Sequence, residues 1–397
     1  MFALRVPSWS SISEDYLVPE NLKIFKVSGS LTNAVFFISY PAIPSIKTVL
    51  LRIYGPASSS LISRPRELHT LHVLSSQYRI GPRVHGTFEN GRVEEYFESD
   101  ALTSEDLRDP TISRWIGARM AELHCVDIGA IEDASSTDLE AKSQWDVAAK
   151  DNVRLWLKAA MDVLLLPSVS DEFKQAVQIE QFVKDWERYM VWLSDWEQKH
   201  GHSKRVFAHN DTQYGNLLRL RKLKEGLPEH RQIIVVDFEY ASPNSAAFDI
   251  ANHFQEWTAN YHGPTPHLLE PSRYPSLEER TNFCRAYVSH TFPPLGTVEA
   301  GSSAMNSDGA ESSSQKFVHG TDVENEVRRL ESQVRVWSPA THAMWAVWGI
   351  VQAREDLEQA ARARAEGGRP DDPEFDYLGY ARCRLQSFER EIRALGL

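Results

Sequence analysis

Val206-Phe207-Ala208-His209-Asn210-Asp211-Thr212-Gln213-Tyr214-Gly215-Asn216 begins as the end of an apolar strand and turns into a polar loop. Further along, Ile233-Ile234-Val235-Val236-Asp237-Phe238-Glu239 repeats the passage: a short apolar strand delivers an acid at its mouth, with a second acid two residues on. Apart, each segment is unspecific. An Asp with an Asn one loop later is commonly an Asx turn or a cap, and many apolar strands end in Asp. Together and in this order they describe a site.

That order is the one used in kinase-type phosphoryl transfer. Asp211 would accept the proton of an attacking hydroxyl. Asn216 would turn its carbonyl oxygen to Mg²⁺, and Asp237 would offer an ionised oxygen to the same metal. Mg²⁺ takes hard oxygen ligands and completes its shell with phosphate and water. His209 reads as a packed loop histidine that steadies the catalytic turn.

The remainder of the chain sets the frame. Its 397 residues, 42% hydrophobic, suffice for two domains or lobes. A formal charge of −12 argues against a nucleic-acid partner. Cys125, Cys284 and Cys383 are too few and too scattered for a disulfide framework or a zinc site. The start, MFALRVPSWSSISEDY, does not read as a signal peptide, and no apolar run is long enough for a membrane span. A cytoplasmic protein is the expectation.

The first hundred residues read as β-rich with one helix. Strands fall near Lys23–Val27, 34–38 and 48–54, a helix over Arg64 to Tyr78, and a hairpin turning on Asn90-Gly91 between strands near 84–88 and 93–97. From Leu102 onward helices dominate, at 112–124, 174–200, 248–257, 341–365 and 375–395. Residues 292–316 are rich in Ser, Gly and Ala and read as a flexible insertion. The division expected is 1–100 as a nucleotide-binding lobe and 101–397 as a catalytic and acceptor-binding lobe.

The β-rich part supplies the nucleotide groups. Ser28-Gly29-Ser30 and Asn33 lie in a small-residue turn able to cradle phosphate, Gly29 letting the backbone come close. Arg52 sits inside an apolar strand, where a charge needs a partner, and Glu67 on the following helix is the expected one.

The segments VFAHNDTQYGNLL, VVDFEYASPNSAAFDIANHFQEW and WAVWGIVQA, with VLLRIYG and SGSLTNAVF, resemble the choline/ethanolamine kinase family over residues 20–290 and 325–395. The resemblance implies an α+β, protein-kinase-like two-lobed fold, ATP as cosubstrate with Mg²⁺, and phosphorylation of the choline hydroxyl, the step that feeds phosphatidylcholine synthesis. It implies Asp211 as catalytic base, Gln213 as a loop-positioning residue, Asn216 and Asp237 as metal ligands with Glu239 beside them, Arg52 as a phosphate contact, and Asp249 as a structural acid under the loop. Where the family commonly has Glu-Gly-Asn, this chain has Tyr214-Gly215-Asn216. Extra residues between Glu358 and Phe375 also depart from the pattern.

Choline carries a quaternary ammonium that donates no hydrogen bond and is held by aromatic faces. Trp345 and Trp348, on one helix face, with Tyr261 and Tyr380, resemble the family's aromatic cage; Tyr377 is an equal candidate beside Tyr380. Asp211 and Glu256 would supply the field for the cation. Ethanolamine is the alternative acceptor, dual use included. An antibiotic phosphotransferase and a catalytically dead scaffold are the further readings; the Trp pair speaks against the first and the presence of Asp211, Asn216 and Asp237 against the second. The oligomeric state is left open, a homodimer included.

Overall fold

The computed structural model describes residues 4–6, 8–13, 16–27, 33–55, 63–132, 147–291, 320–369 and 373–397. Alternating apolar residues early in the chain form an antiparallel sheet of β1 (Lys23–Val27), β2 (Asn33–Ser39), β3 (Val49–Tyr54), β4 (Val84–Phe88) and β5 (Gly91–Glu95), in the order β1-β2-β3-β5-β4. Helix α1 (Arg64–Val73) follows β3 and passes into one π turn that ends at Arg79 with φ 56°. The β5 strand begins two residues earlier than the sequence suggests, because the turn is Glu89-Asn90 and Gly91 already pairs with Phe88. The register sets Arg52 directly opposite Arg92 across β3 and β5. Facing like charges destabilise a sheet, so this pair requires acids around it.

Two small sheets carry the loops that matter. β6 (Ser99–Ala101), β8 (Leu217–Leu220) and β9 (Ile233–Val235) pair in the order β6-β8-β9, while β7 (Arg205–Ala208) pairs antiparallel with β10 (Ser242–Ser245). The loop after β7 and the segment after β9 leave different sheets but are tied to each other, Val236 N–H donating to the Asn216 carbonyl at 3.0 Å.

Helices α2 (Pro110–His124), α3 (Ile128–Glu132), α4 (Ala148–Leu164), α5 (Asp171–Val177), α6 (Ile179–His200), α7 (Ala246–Glu256), α8 (Leu277–Thr291), α9 (Gly320–Ala365) and α10 (Tyr377–Ala394) make up the rest. This is the expected α+β arrangement, with three corrections. The helix expected over 174–200 is two, because Gln178 takes φ 41°, and only α6 reaches His200. The helix expected to begin at Thr341 begins at Gly320 and runs through Pro339. A proline inside a helix costs about 3 kcal/mol. Burial of Val336, Trp337, Ala340, Ala343 and Met344 offsets it, and the Tyr189 hydroxyl donates to the Val336 carbonyl at 2.7 Å. The last helix starts at Tyr377, where Asp376 accepts from Gly379 N–H at 2.7 Å as its cap. α9 packs on α4, α7, α8 and α10 and is the spine of the large core. The expected insertion at 292–316 lies outside the described residues, and the extra residues after Glu358 begin by extending α9 to Ala365.

Candidate active site

The loop after β7 is fixed by buried polar groups. Asn210 adopts φ 65°, a conformation Asn tolerates better than other side chains. Its amide donates to the Tyr240 carbonyl and to Ser242 Oγ, both at 2.9 Å, and its Oδ1 accepts from Asn244 at 2.8 Å. Asp249 lies under the loop and is completely buried. It accepts from the N–H groups of His209 (2.9 Å) and Asn210 (2.8 Å), and His124 Nε2 lies 2.9 Å from it. Burial pushes the Asp249 carboxyl up, yet the His124 contact and the loop amides win and hold it below the usual carboxylate range. His209 Nε2 meets the Val236 carbonyl at 2.9 Å, and burial lowers its pKa, so it is a neutral tie between the two loops.

Asp211 stands at the head of this loop. Asn216 Nδ2 donates to its carboxylate and to its carbonyl, each at 2.9 Å. Gln213 Oε1 accepts from Gly215 N–H at 2.7 Å, and its amide reaches Asn216 Oδ1 at 3.4 Å. A Cβ on residue 215 would come within 2.9 Å of Gln213 Oε1 and would displace that side chain. Burial, then the charges of Glu256, Asp237 and Glu239, push the Asp211 carboxyl well above its ordinary value.

Asp237 follows β9 with φ 66°. Arg52 donates to its Oδ2 at 3.2 Å, and its Oδ1 is buried with no hydrogen-bond partner. Carboxylate oxygens of Glu67, Asp237 and Glu239 lie within 4.8 Å of one another. Burial and the charges of Asp237 and Glu67 raise Glu239 to about 7. Crowded acids with an unpartnered buried oxygen make a hard-oxygen donor set, and a divalent cation fits it.

The cations here differ from the expected pairing. Arg52 does not pair with Glu67; it lies 3.2 Å from Asp237 and 3.4 Å from Glu94. Glu67 is bonded by Arg92 and Arg64, both at 2.7 Å, and Arg92 also pairs with Glu94. The cause is the register: Arg92, cross-strand from Arg52, takes the helix acid and turns Arg52 toward Asp237. Asn33 sits with this group, donating to Glu239 at 3.4 Å and accepting from Arg64 at 3.2 Å, while Arg64 lies 4.3 Å over the Tyr54 ring. Ser28, Gly29 and Ser30 lie outside the described residues.

The aromatic residues gather around Trp345 and Trp348. Trp345 and Trp348 meet edge-to-face with centroids 5.2 Å apart, and Trp348 touches Tyr377 (5.7 Å) and Tyr380 (6.0 Å). Both candidate tyrosines of α10 belong to the cluster. So does Tyr240, which sequence reasoning missed: its ring is 5.4 Å from Trp345 and its hydroxyl accepts from Trp348 Nε1 at 2.8 Å. Its position directly after Asp237-Phe238-Glu239 was the available signal. Tyr261 packs on Tyr214 (5.7 Å) and donates to Glu256 Oε2 at 2.6 Å. Glu256 is not an open negative charge, as expected from the sequence, because Arg384 donates to its other oxygen at 2.6 Å. Asn252 connects these rings to the Asp211 loop, accepting from Trp345 Nε1 at 2.8 Å and donating to the Asn210 carbonyl at 3.2 Å.

Comparison with known proteins agrees with this geometry. The sequence model described as Choline/ethanolamine kinase matches residues 24–389. A protein of Schizosaccharomyces pombe named choline kinase is 34% identical over 99% of this chain and 88% of its own length. Among solved structures, an ethanolamine kinase of Plasmodium vivax superposes with a TM-score of 0.66 at 19% identity, over 96% of this chain and 84% of that one. A choline kinase of Cryptosporidium parvum Iowa II gives 0.65 at 22%, over 98% and 93%. These two likenesses establish the protein-kinase-like fold. With the sheet, the acid loop, the second acid and the tryptophan helix all inside the matched span, the chain belongs to the choline/ethanolamine kinase family.

Proposed function

We propose that this protein transfers the γ-phosphoryl group of ATP to the hydroxyl of choline, giving phosphocholine and ADP. The observation that carries this reading is how the Asp211 loop is tied: Asn252 donates to the Asn210 carbonyl at 3.2 Å and accepts from Trp345 Nε1 at 2.8 Å, while His209 meets the carbonyl of Val236, directly before Asp237, at 2.9 Å. A hydroxyl held against the rings would have its proton at Asp211. Asp237, Glu239 and Asn216 would hold Mg²⁺, which when bound neutralises charge on the phosphates. Arg52 would meet those phosphates, and Asn33, Arg64 and Glu67 would fix the floor under them. Gln213 would keep the loop in shape. The edge-to-face rings of Trp345, Trp348, Tyr240, Tyr377 and Tyr380 suit a methylated cation, which needs π faces rather than acceptors. The division at residue 100 into nucleotide and acceptor lobes, and action in the cytoplasm, belong to the same proposal. No helix of the described residues is long and apolar enough to cross a membrane.

The test is Mg²⁺-dependent ADP release with choline, with ethanolamine and with no acceptor. Choline should stimulate release most strongly. Asp211→Ala should abolish stimulated release while ATP binding, followed by calorimetry, persists. Equal release with and without either amine would instead favour a binding scaffold and end the kinase reading.

A further inference from the structure

Arg384 has no role in the account so far. It lies on α10 one turn after Tyr380 and is completely buried. Only one of its nitrogens makes a hydrogen bond: Nη2 donates to Glu256 Oε1 at 2.6 Å, whereas Nε and Nη1 are buried with no partner. Its guanidinium carbon stands 4.9 Å over the Tyr380 ring. The second oxygen of Glu256 accepts from the Tyr261 hydroxyl at 2.6 Å. Both carboxylate oxygens of Glu256 are thus engaged by the chain itself.

Burying an arginine with two unsatisfied nitrogens is unfavourable, and an apolar side chain of similar volume would fill the same space without that cost. What the guanidinium alone supplies is a fixed positive charge on Glu256 and on one face of Tyr380. The two candidate acceptors respond differently to it. A primary ammonium brings three N–H donors that must find acceptors once its water is stripped. A quaternary ammonium brings none and is satisfied by rings and a diffuse field.

Building on the choline reading, we propose that Arg384 is a specificity-determining residue: by pairing with Glu256 it withholds from the pocket the carboxylate that a primary ammonium would use, and so favours the quaternary acceptor. Asp211 and the rings remain, which suffices for choline and leaves ethanolamine short of acceptors. Arg384 touches no reacting atom and acts through Glu256 and Tyr380.

The experiment compares kcat/KM for choline and for ethanolamine, at saturating MgATP, in the wild type, R384M, R384K and R384M/E256Q. The choline-to-ethanolamine ratio should fall about tenfold in R384M, chiefly through a lower ethanolamine KM. It should stay within about threefold of wild type in R384K, which keeps the charge, and return toward wild type in R384M/E256Q, which has no freed carboxylate. An unchanged ratio in R384M, both acceptors weakening together, makes Arg384 a packing residue and overturns the proposal. If R384M does not fold, E256Q decides: it leaves the Arg384 charge uncompensated beside the cation site. Both amine KM values should then rise about tenfold with the MgATP KM unchanged, and unaltered amine KM values overturn the proposal. A wild-type protein that uses neither amine, or prefers ethanolamine, refutes the functional reading itself; a choline-preferring wild type with the ratio intact in R384M refutes only the role of Arg384.

Discussion

Replacing Arg92 by Met should cost the fold more than replacing Arg52, although Arg52 is the cation that the sequence ties to Glu67. The Arg92 side chain is 1% exposed and bonds Glu67 at 2.7 Å, with Glu94 as its second partner. Arg92→Met would leave two acids, 1% and 2% exposed, each with a single remaining cation: Arg64 for Glu67 and Arg52 for Glu94. Removing one partner of a buried pair costs about 3–5 kcal/mol, and the remaining cations point to the lower end. Arg52→Met mainly releases Asp237, whose side chain is 21% exposed and open to some water, so about 1–2 kcal/mol is expected. A double-mutant cycle separates the pairings. Arg92→Met with Glu67→Gln should show a coupling of about 1.5–3 kcal/mol, and Arg52→Met with Glu67→Gln no more than about 0.5 kcal/mol. Urea unfolding midpoints with unchanged m-values supply the numbers, and MgATP kinetics add an independent readout. Arg52→Met should raise the MgATP KM about tenfold or more, since that side chain faces Asp237. If the Arg52–Glu67 coupling equals or exceeds the Arg92–Glu67 coupling, the reasoning from strand register is wrong.

Tyr240→Phe should leave the Trp348 indole N–H buried without its 2.8 Å acceptor, lowering stability by about 1–3 kcal/mol and raising the choline KM while sparing that of MgATP; an unchanged choline KM would remove Tyr240 from the cage. Asn252→Leu deletes hydrogen bonds to the Asn210 carbonyl (3.2 Å) and from Trp345 Nε1 (2.8 Å), so a loss of about 2–4 kcal/mol is expected, together with a lower kcat and a higher choline KM, and steady-state kinetics showing only one of these changes would contradict it. Glu122 supplies the pH dependence: burial raises its pKa, but the His230 hydrogen bond and the charges of Arg119 and Arg231 hold it at about 2 in the fold, below its ordinary 4.5. A depressed folded pKa gives stability that is complete above the unfolded value and is lost as pH falls toward the folded one. The stability difference between wild type and Glu122→Gln, measured by denaturant titration, should therefore shrink from pH 4.5 toward 2, and a difference constant over that window would refute the assignment.

What could be read in the sequence was local. Asp211, Gln213, Asn216 and Asp237 declare themselves because each lies one short loop from an apolar strand, and strand-then-acid is visible within a dozen residues. Trp345 and Trp348 share a face by helical spacing alone. Glu67 pairs with Arg92 rather than Arg52 because β3 and β5 set the two cations side by side on one face, and a neighbour brought in by strand register is not visible in local pattern. Arg384 was invisible for a similar reason, its partner Glu256 being 128 residues away. The long helix through Pro339 was cut short because propensity rules weigh the missing N–H and not the buried apolar side chains on either side that outweigh it. The break at Gln178 had no signal, since neither Gly nor Pro marks it.

The two halves of the site are built as one piece, and a single buried amide shows how. Asn252 lies on α7, completely buried, one turn beyond Asp249. Its Nδ2 donates to the carbonyl of Asn210, directly before Asp211, and its Oδ1 accepts from Trp345 Nε1. The Asp211 loop and the orientation of the Trp345 indole are therefore tied together by one side chain. The same helix presents Asp249 to the loop and, at its end, Glu256 to Tyr261 and Arg384. A rigid helix carrying both sets of constraints fixes the distance between Asp211, the proposed base, and the rings proposed to bind the cation more tightly than loop contacts could. That distance is what an acceptor with its hydroxyl two carbons from a bulky cation would test, because an error on the scale of one ångström in where the hydroxyl meets the phosphate is costly in rate.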